Sequence, residues 1–483
     1  MKKYIIFFVI LIFYFIINRK NNLESFIEEN NWNNIIVKIH SQNINYDWIN
    51  PFKKNNSYES IGTGFFFDNK GHILTVAHNV ENSIIQFVSI PSKGETKFKT
   101  KLICVFPEFD LAVLKILNYK NKNYLSFGDI SNITYGTSVI ALGYPLGQNK
   151  LKLTAGVVSG LQYGSIQTDT SINPGNSGGP LIDKSTNKVI GINFSRSASS
   201  KAENIGYAIP INIFKLYQDS ILKNKYEKVK ILYFPALGVQ FTNCNHSLLR
   251  FKNIKNKNVG YYINTVLKNS PFDKNNVLPG DILYSIDNTP IDFFGEITMP
   301  WFVGKIHIYH YIKFKYKAGD EINFKIYRNN KLLEKKITIT SSVFYKIRYM
   351  YPLFEKQKYE VIGGIIFMNL TLNHFNHLNN LDMLKYKLIV NRIKNKVVIT
   401  NILNGSKIYN DKILSPGNIV KKINKIHVNS IEDLTKAMNK PIDNKYLIIE
   451  TESNIIFTIE INIIKKQDKF LSKKYKYKTN YTF

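Results

Sequence analysis

The sequence predicts a mainly β protein, in which one all-β barrel or sandwich is followed by two smaller α+β modules. Short apolar runs separated by Gly, Pro, Asn or Asp recur along residues 61–210, which is the pattern of many short strands and turns. Two later stretches, 233–342 and 361–465, follow one common plan. Hydrophobic residues make up 44% of the 483 residues, which suffices for large cores and excludes wholesale disorder. The length suggests about three domains.

The first residues have the pattern of a targeting segment. An unbroken apolar run, Tyr4 to Ile17, follows two lysines, and no small-residue cleavage site comes after it. We therefore expect an uncleaved membrane anchor over residues 1–20, with a cleaved secretory signal and a buried helix as the alternatives. The run would span about 21 Å of a hydrocarbon core about 30 Å thick, so the bilayer would have to thin locally. The predicted location is a membrane-associated, secretory or organellar compartment.

The composition gives a net charge of +30, from 65 Lys and Arg against 35 Asp and Glu. This charge is spread along the chain and no nucleic-acid-binding motif accompanies it, so we expect no nucleic-acid partner. Its densest part, Lys465 to Lys478, overlaps a predicted basic tail over 466–483, which is either solvated or bound to an anionic surface. Two distant cysteines, Cys104 and Cys244, exclude a disulfide framework and a zinc ribbon, and we expect no metal and no cofactor.

The β domain is predicted over residues 60–222, after an N-terminal segment over 21–59. It begins with a hairpin, in which the strand Gly62–Phe67, a turn and the strand Ile73–Val76 follow one another. Further strands are predicted at Leu111–Ile116, Ser138–Leu142, Ala155–Val158, Val189–Ile192 and Tyr207–Ile209. A Lys-rich helical stretch, Ile211 to Lys230, closes the domain and includes most of a linker over 223–232.

The two later modules share a strand start, a Pro-Gly turn and a strand after that turn. The first, over 233–342, has the strand start Leu237-Gly238-Val239, the strand Ile282–Ile286 and a final charged strand, Lys325–Ile339. The second, over 343–465, has the strands Gly363–Phe367 and Ile419–Ile423 and a helix with Ser430 as its N-cap.

One glycine-rich segment, Asn173 to Pro180, carries the strongest chemical signal. In its sequence Asn-Pro-Gly-Asn-Ser-Gly-Gly-Pro, Ser177 lies on a tight turn that leaves the hydroxyl accessible. Successive backbone N–H groups of such a turn can point inward and stabilise the oxyanion of a tetrahedral intermediate. The alternative is an ordinary glycine-rich loop.

A serine nucleophile needs a base and an acid that orients the base. His78 follows an apolar strand, and Asp110 directly precedes another, although each alone also fits a structural role. Four other histidines lack nearby acids or lie among lysines: His307, His310, His374 and His377. The chain order His78, Asp110, Ser177 is that of chymotrypsin-type enzymes and differs from the subtilisin and α/β-hydrolase orders.

With these residues the sequence resembles the HtrA/Deg serine proteases, of the plant-type Deg branch. The matching segments are Gly62–Phe65, Thr75–His78, Asp110–Lys115, Gly143–Gly147, Gly156–Gly160, Ile166–Asp169, Asn173–Pro180 and Ile205–Pro210. The resemblance implies a chymotrypsin-like double β-barrel protease domain followed by two PDZ-like domains, over 233–342 and, more divergent, 343–465.

The resemblance also implies roles for the site residues. Ser177 attacks the scissile carbonyl, His78 transfers the proton, and Asp110 orients His78. The backbone N–H groups of Gly175 and Ser177 form the oxyanion hole.

Substrate selectivity is predicted from three further positions. Ser171 stands where a trypsin-like enzyme of this fold has an Asp, and with Ile190 and Ile192 it predicts an S1 pocket for small or aliphatic side chains. In the first PDZ-like domain, Leu237-Gly238-Val239 are expected to bind a peptide C-terminus by strand addition, with a purely structural or assembly role as the alternative.

The implied activity is an ATP-independent serine endopeptidase that cleaves unfolded or damaged proteins, and no Walker-type segment is present. The alternative is a chaperone or PDZ adaptor with a latent protease domain. The resemblance implies a homo-oligomer, a trimer or a multiple of it, for which Trp32, Trp48 and Phe52 are candidate contacts. Membrane association would involve residues 4–17. The loop 161–165 is shorter than the one that couples PDZ occupancy to the active site in the family.

Overall fold

The computed structural model describes residues 32–54, 56–194, 205–223, 228–254, 259–299 and 304–481. A short helix, α1 (Trp32–Ile35), precedes a closed six-stranded barrel. Its strands are β1 (Ile36–Ile44), β2 (Ser57–Phe66), β3 (His72–Thr75), β4 (Ser83–Ser89), β5 (Lys97–Phe106) and β6 (Leu111–Ile116). They are ordered β5-β4-β1-β2-β3-β6, and β6 closes the barrel on β5. The predicted hairpin is confirmed as β2 and β3.

A second closed barrel follows, with the order β10-β11-β12-β9-β8-β7. Its strands are β7 (Ser138–Gly143), β8 (Lys152–Gln162), β9 (Ser165–Thr168), β10 (Pro180–Asp183), β11 (Lys188–Phe194) and β12 (Gly206–Pro210). The predicted helix is α2 (Ile211–Leu222), which ends before Lys230. A short strand, β13 (Lys230–Ile231), then adds to β5 in parallel. Two barrels confirm the chymotrypsin-like fold that the resemblance implied.

The first PDZ module is a mainly antiparallel sheet with short helices. Its strands are β14 (Pro235–Ala236), β15 (Val239–Thr242), β16 (Tyr261–Val266), β17 (Ile282–Ile286), β18 (Thr289–Pro290), β19 (Glu296–Thr298), β20 (Lys305–His307), β21 (Glu321–Arg328), β22 (Lys331–Thr338) and β23 (Thr340–Ser341). The helices are α3 (His246–Phe251), α4 (Pro271–Lys274) and α5 (Ile308–Lys315). Helix α5 packs against α2, and one buried apolar cluster runs from the barrels into this module.

The single charged strand predicted over Lys325–Ile339 is wrong. The structure has the antiparallel hairpin β21–β22 there, and its turn residues Asn329 and Asn330 both have positive φ. Two consecutive positive φ values are typical of the tight type I′ turn, which Asn tolerates.

The last module has its own core. Its strands are β24 (Tyr359–Ile362), β25 (Ile365–Asn369), β26 (Val397–Ile402), β27 (Ile419–Ile423), β28 (Ile426–His427), β29 (Tyr446–Thr451) and β30 (Ile456–Glu460). Its helices are α6 (Leu381–Leu384), α7 (Lys407–Asp411), α8 (Ile431–Met438) and α9 (Ile461–Tyr475). The predicted N-cap is confirmed, because Ser430 caps α8 in a capping box with Asp433.

Two segments belong to other domains than the sequence-based domain boundaries suggest. Strand β1 precedes residue 60, yet it pairs with both β2 and β4 and completes the first barrel. At the other end, most of the predicted basic tail belongs to α9, in which Asp468 and Leu471 are buried. Asp468 accepts hydrogen bonds from the Gly363 N–H at 2.8 Å and the Tyr477 hydroxyl at 2.6 Å, so this stretch is part of the last module.

The N-terminal aromatic residues pack within the chain. Trp48 is buried with its ring 5.3 Å from the His374 ring of the last module, and Thr400 Oγ1 donates to the Ile49 carbonyl at 2.9 Å. Phe52 lies 5.6 Å from the Tyr477 ring. The segment after β1 therefore attaches the last module to the first barrel.

The predicted membrane anchor lies outside the described residues. Within them, no helix has the length and apolar character needed to cross a membrane. Cys104 and Cys244 are both buried and free.

Candidate active site

His78 and Asp110 come together at one end of the first barrel. Strands β3 and β6 pair antiparallel, so the turn after β3 lies beside the turn before β6. His78 Nδ1 is 2.8 Å from Asp110 Oδ2 and 3.0 Å from Oδ1. Asp110 Oδ1 also accepts a hydrogen bond from the His78 backbone N–H at 2.9 Å. One carboxylate therefore sets both the position and the ring orientation of the histidine.

This contact selects the useful tautomer of His78. When Nδ1–H donates to the carboxylate, Nε2 of the neutral ring keeps its lone pair and can accept a proton. Asp110 has a φ of 56°, in the left-handed region that Asp tolerates better than most residues. Its N–H donates to the Pro107 carbonyl at 3.2 Å, so a tight turn aims the carboxylate at His78.

Ser177 is buried where the two barrels meet. Its carbonyl accepts hydrogen bonds from the Thr63 N–H at 3.0 Å and from Asn79 Nδ2 at 2.9 Å. Asn79 is the neighbour of His78 in the single 3₁₀ turn Ala77–Asn79. The structure thus brings His78 and Asp110 into direct contact and holds Ser177 against the turn that carries His78.

Two glycines shape the loop around Ser177. Gly175 has a φ of 97°, and a Cβ there would lie 2.2 Å from the Tyr144 carbonyl oxygen. Gly178 has a φ of 90°, and a Cβ there would lie 2.1 Å from the Thr63 carbonyl oxygen. The Gly175 N–H donates to no acceptor among the described residues, which leaves it available for a substrate oxygen.

Further residues hold the loop around Ser177 through hydrogen bonds, and the sequence analysis did not predict their roles. Thr63 Oγ1 donates to the Gly175 carbonyl at 2.6 Å and accepts from the Tyr144 N–H at 3.1 Å. The Leu146 N–H donates to the Pro174 carbonyl at 2.6 Å. The signal was the motif around Thr63, whose preceding Gly62 makes room for Asn79: a Cβ at Gly62 would lie 2.3 Å from Asn79 Nδ2.

The charges around His78 favour its protonated form. Burial lowers the pKa of His78, but the hydrogen bond and charge of Asp110 and the charge of Glu81 outweigh burial and raise it. Glu81 follows the 3₁₀ turn, with its N–H donating to the Ala77 carbonyl at 2.7 Å. Burial, and after it the charge of Asp110, raises the pKa of Glu81 to about 7. Glu81 is therefore a second acidic residue that raises the pKa of His78, and it does so through its charge.

We expect Glu81→Gln to move the acid limb of the pH–rate profile slightly to lower pH, because Glu81, with a pKa of about 7, is only partly ionised in the range where His78 titrates. A general base works only when neutral, so activity is lost as pH falls through the pKa of His78. Removing the Glu81 charge lowers that pKa, and activity persists to lower pH. The measurement is kcat/KM for peptide hydrolysis from pH 5 to 9, with the exposed Glu59→Gln as control. An unchanged limb would contradict the role of Glu81.

Comparison with known proteins finds similarity in both the peptidase domain and the first PDZ module. Residues 62–192 match the trypsin-like peptidase domain family and residues 235–339 match the PDZ domain family. The serine protease Do-like HtrB of Bacillus subtilis is 32% identical over 295 residues, which cover 56% of this chain and 59% of the relative. The putative mitochondrial protease Do-like 3 of Arabidopsis thaliana is 28% identical over 463 residues, which cover 90% of this chain and 77% of the relative. The chain therefore combines a trypsin-like peptidase domain with a PDZ domain, and it is similar to proteases named HtrA and Do-like.

The similarity to these proteases extends beyond the peptidase domain. The Arabidopsis relative aligns over nearly the whole chain, including the last module, as the plant-type resemblance implied. The chain spans about three fifths of the length of the first curated relatives it matches. Among solved structures, the HtrA-type protease AlgWS227A with decapeptide aligns with a TM-score of 0.50 at 22% identity, over 63% of this chain and 94% of that one, which shows a shared fold.

The predicted S1 residues divide into two groups. Ser171 is exposed just before the loop that carries Ser177, and its carbonyl accepts a hydrogen bond from Asn176 Nδ2 at 3.4 Å. Ile190 and Ile192 are 1% and 0% exposed and belong to the barrel core, where Ile190 packs on Gly128. The prediction that these two isoleucines line the pocket is therefore wrong, because side chains without any accessible surface cannot meet a substrate.

The predicted peptide-binding residues of the first PDZ module lie at the start of an edge strand. Leu237 and Val239 are buried, and Gly238 has a φ of 69° with Ser270 packed where a Cβ would be. Within the part of the chain that the structure describes, strand β15 pairs only with β16, so its other edge is available to an added strand. The backbone of Gly238 lies near the hydroxyl of Tyr345, which follows the module's last strand, and weakly opposes the rise that burial causes in the pKa of that hydroxyl. A residue of the chain itself thus lies beside the predicted carboxylate-binding position.

The short loop between β8 and β9 makes direct contact with this PDZ module. Its two central residues, Tyr163 and Gly164, have φ values of 50° and 76°, which form a tight hairpin turn. A Cβ at Gly164 would lie 2.7 Å from His310 Nδ1 and 3.1 Å from the Phe314 ring, both on α5. The hairpin tip therefore touches α5, although the loop is short.

Proposed function

We propose that the chain is a serine endopeptidase that cleaves unfolded or damaged proteins without ATP, through an acyl-enzyme formed on Ser177. The observation that carries the proposal is the His78–Asp110 hydrogen bond beside the turn whose Asn79 holds Ser177. The family and the named activities of the relatives support the reaction type.

The proposed mechanism assigns one step to each group. Ser177 Oγ attacks the scissile carbonyl while His78 Nε2 takes the hydroxyl proton, and Asp110 stabilises the imidazolium that forms. The N–H groups of Gly175 and Ser177 stabilise the oxyanion. His78 then protonates the leaving amine, and water releases the acyl group by the reverse sequence. A serine rather than a carboxylate at 171 supports uncharged side chains before the cleaved bond.

Partners and location extend the proposal. We infer that the first PDZ module binds peptide C-termini at Leu237–Val239. Relatives are named as periplasmic, mitochondrial and chloroplastic, which supports a secretory or organellar compartment for this chain. Assembly as a homo-oligomer and membrane association through residues 4–17 are part of the same proposal.

The test uses unfolded casein and a fluorophosphonate that reacts with activated serines. We expect casein fragments without added ATP, and one label per chain, on the peptide that contains Ser177. Casein that remains intact while the protein is folded would overturn the proposal. Labelling of a different serine would reject the assigned nucleophile.

A further inference from the structure

A cavity of about 850 Å³ opens on the first barrel next to the loop 144–151. Its lining is strongly cationic, since Lys38, Lys97 and Lys150 contribute to it, with His40 beside them. Among the described residues that line it, Glu95 is the only carboxylate. Nothing in the proposed proteolytic mechanism uses this cavity.

The strand register places two of the lysines on either side of a serine. Lys38 of β1 faces Ser89 of β4, and Ser89 faces Lys97 of β5. Neighbouring strands are about 4.8 Å apart, so the two lysine positions are separated by about 10 Å. Ser89 Oγ lies 3.1 Å from His40 Nε2. A group bound above Ser89 would therefore lie between the positions of the two lysines.

These positive charges have no acidic partner in the described part of the chain, where no carboxylate lies within 4 Å of the three lysines. Lys38 is only 9% exposed and donates to neutral acceptors: the carbonyls of Gly147 at 2.8 Å and Gln148 at 3.3 Å, and Asn149 Oδ1 at 3.2 Å. Burial and the charge of Lys97 lower the pKa of Lys38. Burial and the charges of Lys97 and Lys38 lower the pKa of His40 to about 4, against a weaker opposite effect of Glu59. A bound anion would relieve this repulsion.

We propose that this cavity binds a phosphate-bearing ligand through Lys97 and Lys150, with the Ser89 hydroxyl as a further donor, while Lys38, whose three N–H donors are already used, contributes only its charge. Lysine ammonium groups bind phosphate as point charges, and a doubly charged anion satisfies two of them at once. The volume lies in the range of small-molecule sites and exceeds what inorganic phosphate alone would fill.

The site is joined to the catalytic loop through Lys38. The carbonyls that Lys38 binds belong to the segment whose Leu146 N–H holds Pro174, next to Gly175. A ligand in the cavity therefore contacts the side chain that fixes this segment. The binding itself does not depend on proteolytic activity, so its test is separate from that of the proposed function.

The test is calorimetric titration of the full chain with inorganic pyrophosphate at low ionic strength. We expect saturable binding of one pyrophosphate per chain, weakened about tenfold or more in Lys97→Ala, the size expected when a charged hydrogen-bond donor is lost. Lys97 is exposed, so the variant should fold, and the exposed Lys120→Ala is the matched control outside the cavity. Absent binding, or equal affinities for the two variants, would overturn the proposal.

A second experiment with lipid vesicles tests whether the phosphate belongs to a lipid headgroup or to a soluble ligand. Phosphatidylglycerol vesicles are compared with phosphatidylcholine vesicles for the wild type and Lys97→Ala. Binding to phosphatidylglycerol that pyrophosphate competes away, and that Lys97→Ala weakens, indicates a lipid headgroup. Pyrophosphate binding that Lys97→Ala weakens, with vesicle binding equal for both proteins, indicates a soluble phosphorylated ligand.

Discussion

Ser177→Ala is expected to lower kcat for casein or peptide hydrolysis by about 10⁶-fold, the loss seen when a serine nucleophile is removed. His78 and Asp110 keep their contact in this variant, because neither of their hydrogen bonds involves Ser177. The oxyanion-stabilising N–H groups also remain, but without Oγ no acyl-enzyme forms. Only the slow attack of water in an intact site is left.

The variant separates chemistry from folding. Two hydrogen bonds that hold residue 177 go to its backbone carbonyl, from Thr63 and Asn79, and an alanine accepts these two equally well. We therefore expect an unchanged unfolding temperature together with loss of fluorophosphonate labelling. Ser131→Ala, at an exposed serine of the same domain, is the control that should retain full activity. Equal casein cleavage by Ser177→Ala and wild type would exclude Ser177 as the nucleophile.

Local signals predicted the elements around the site well. The apolar run Leu111–Ile116 coincides with β6, since an acid at one end and a turn at the other delimit it. The pairing of β3 with β6, which brings His78 to Asp110, followed only from the family resemblance. Chain order alone does not say which turns meet, because the barrel register depends on contacts distant in sequence.

The sequence-based predictions that differ from the structure do so for physical reasons. Ile190 and Ile192 follow the nucleophile, but in a strand alternate residues share one face, and here that face belongs to the core. In α9 the abundant lysines concealed a helical spacing of buried positions, Ile461, Ile464, Asp468 and Leu471. The attachment of Trp48 to His374 joins residues far apart in the chain, and no local pattern encodes it.

Asp110→Asn is expected to lower kcat/KM by about 10⁴-fold while the fold is kept. An asparagine adopts the left-handed backbone of residue 110, with its φ of 56°, at least as readily as an aspartate. Its amide can still contact Nδ1 and the His78 N–H, but the amide N–H₂ would then face a ring nitrogen that must accept. The ring would carry its proton on Nε2, where it can no longer take the proton of Ser177.

The pH dependence distinguishes this tautomer effect from simple loss of structure. Because the hydrogen bond and charge of Asp110 raise the pKa of His78, their removal lets burial lower it, and the acid limb of the residual activity should move to lower pH. Asp129→Asn, which alters an exposed carboxylate that caps the Ser131 N–H, is the matched control and should leave both rate and limb unchanged. A loss of activity with the limb in its wild-type position would assign Asp110 a structural role only.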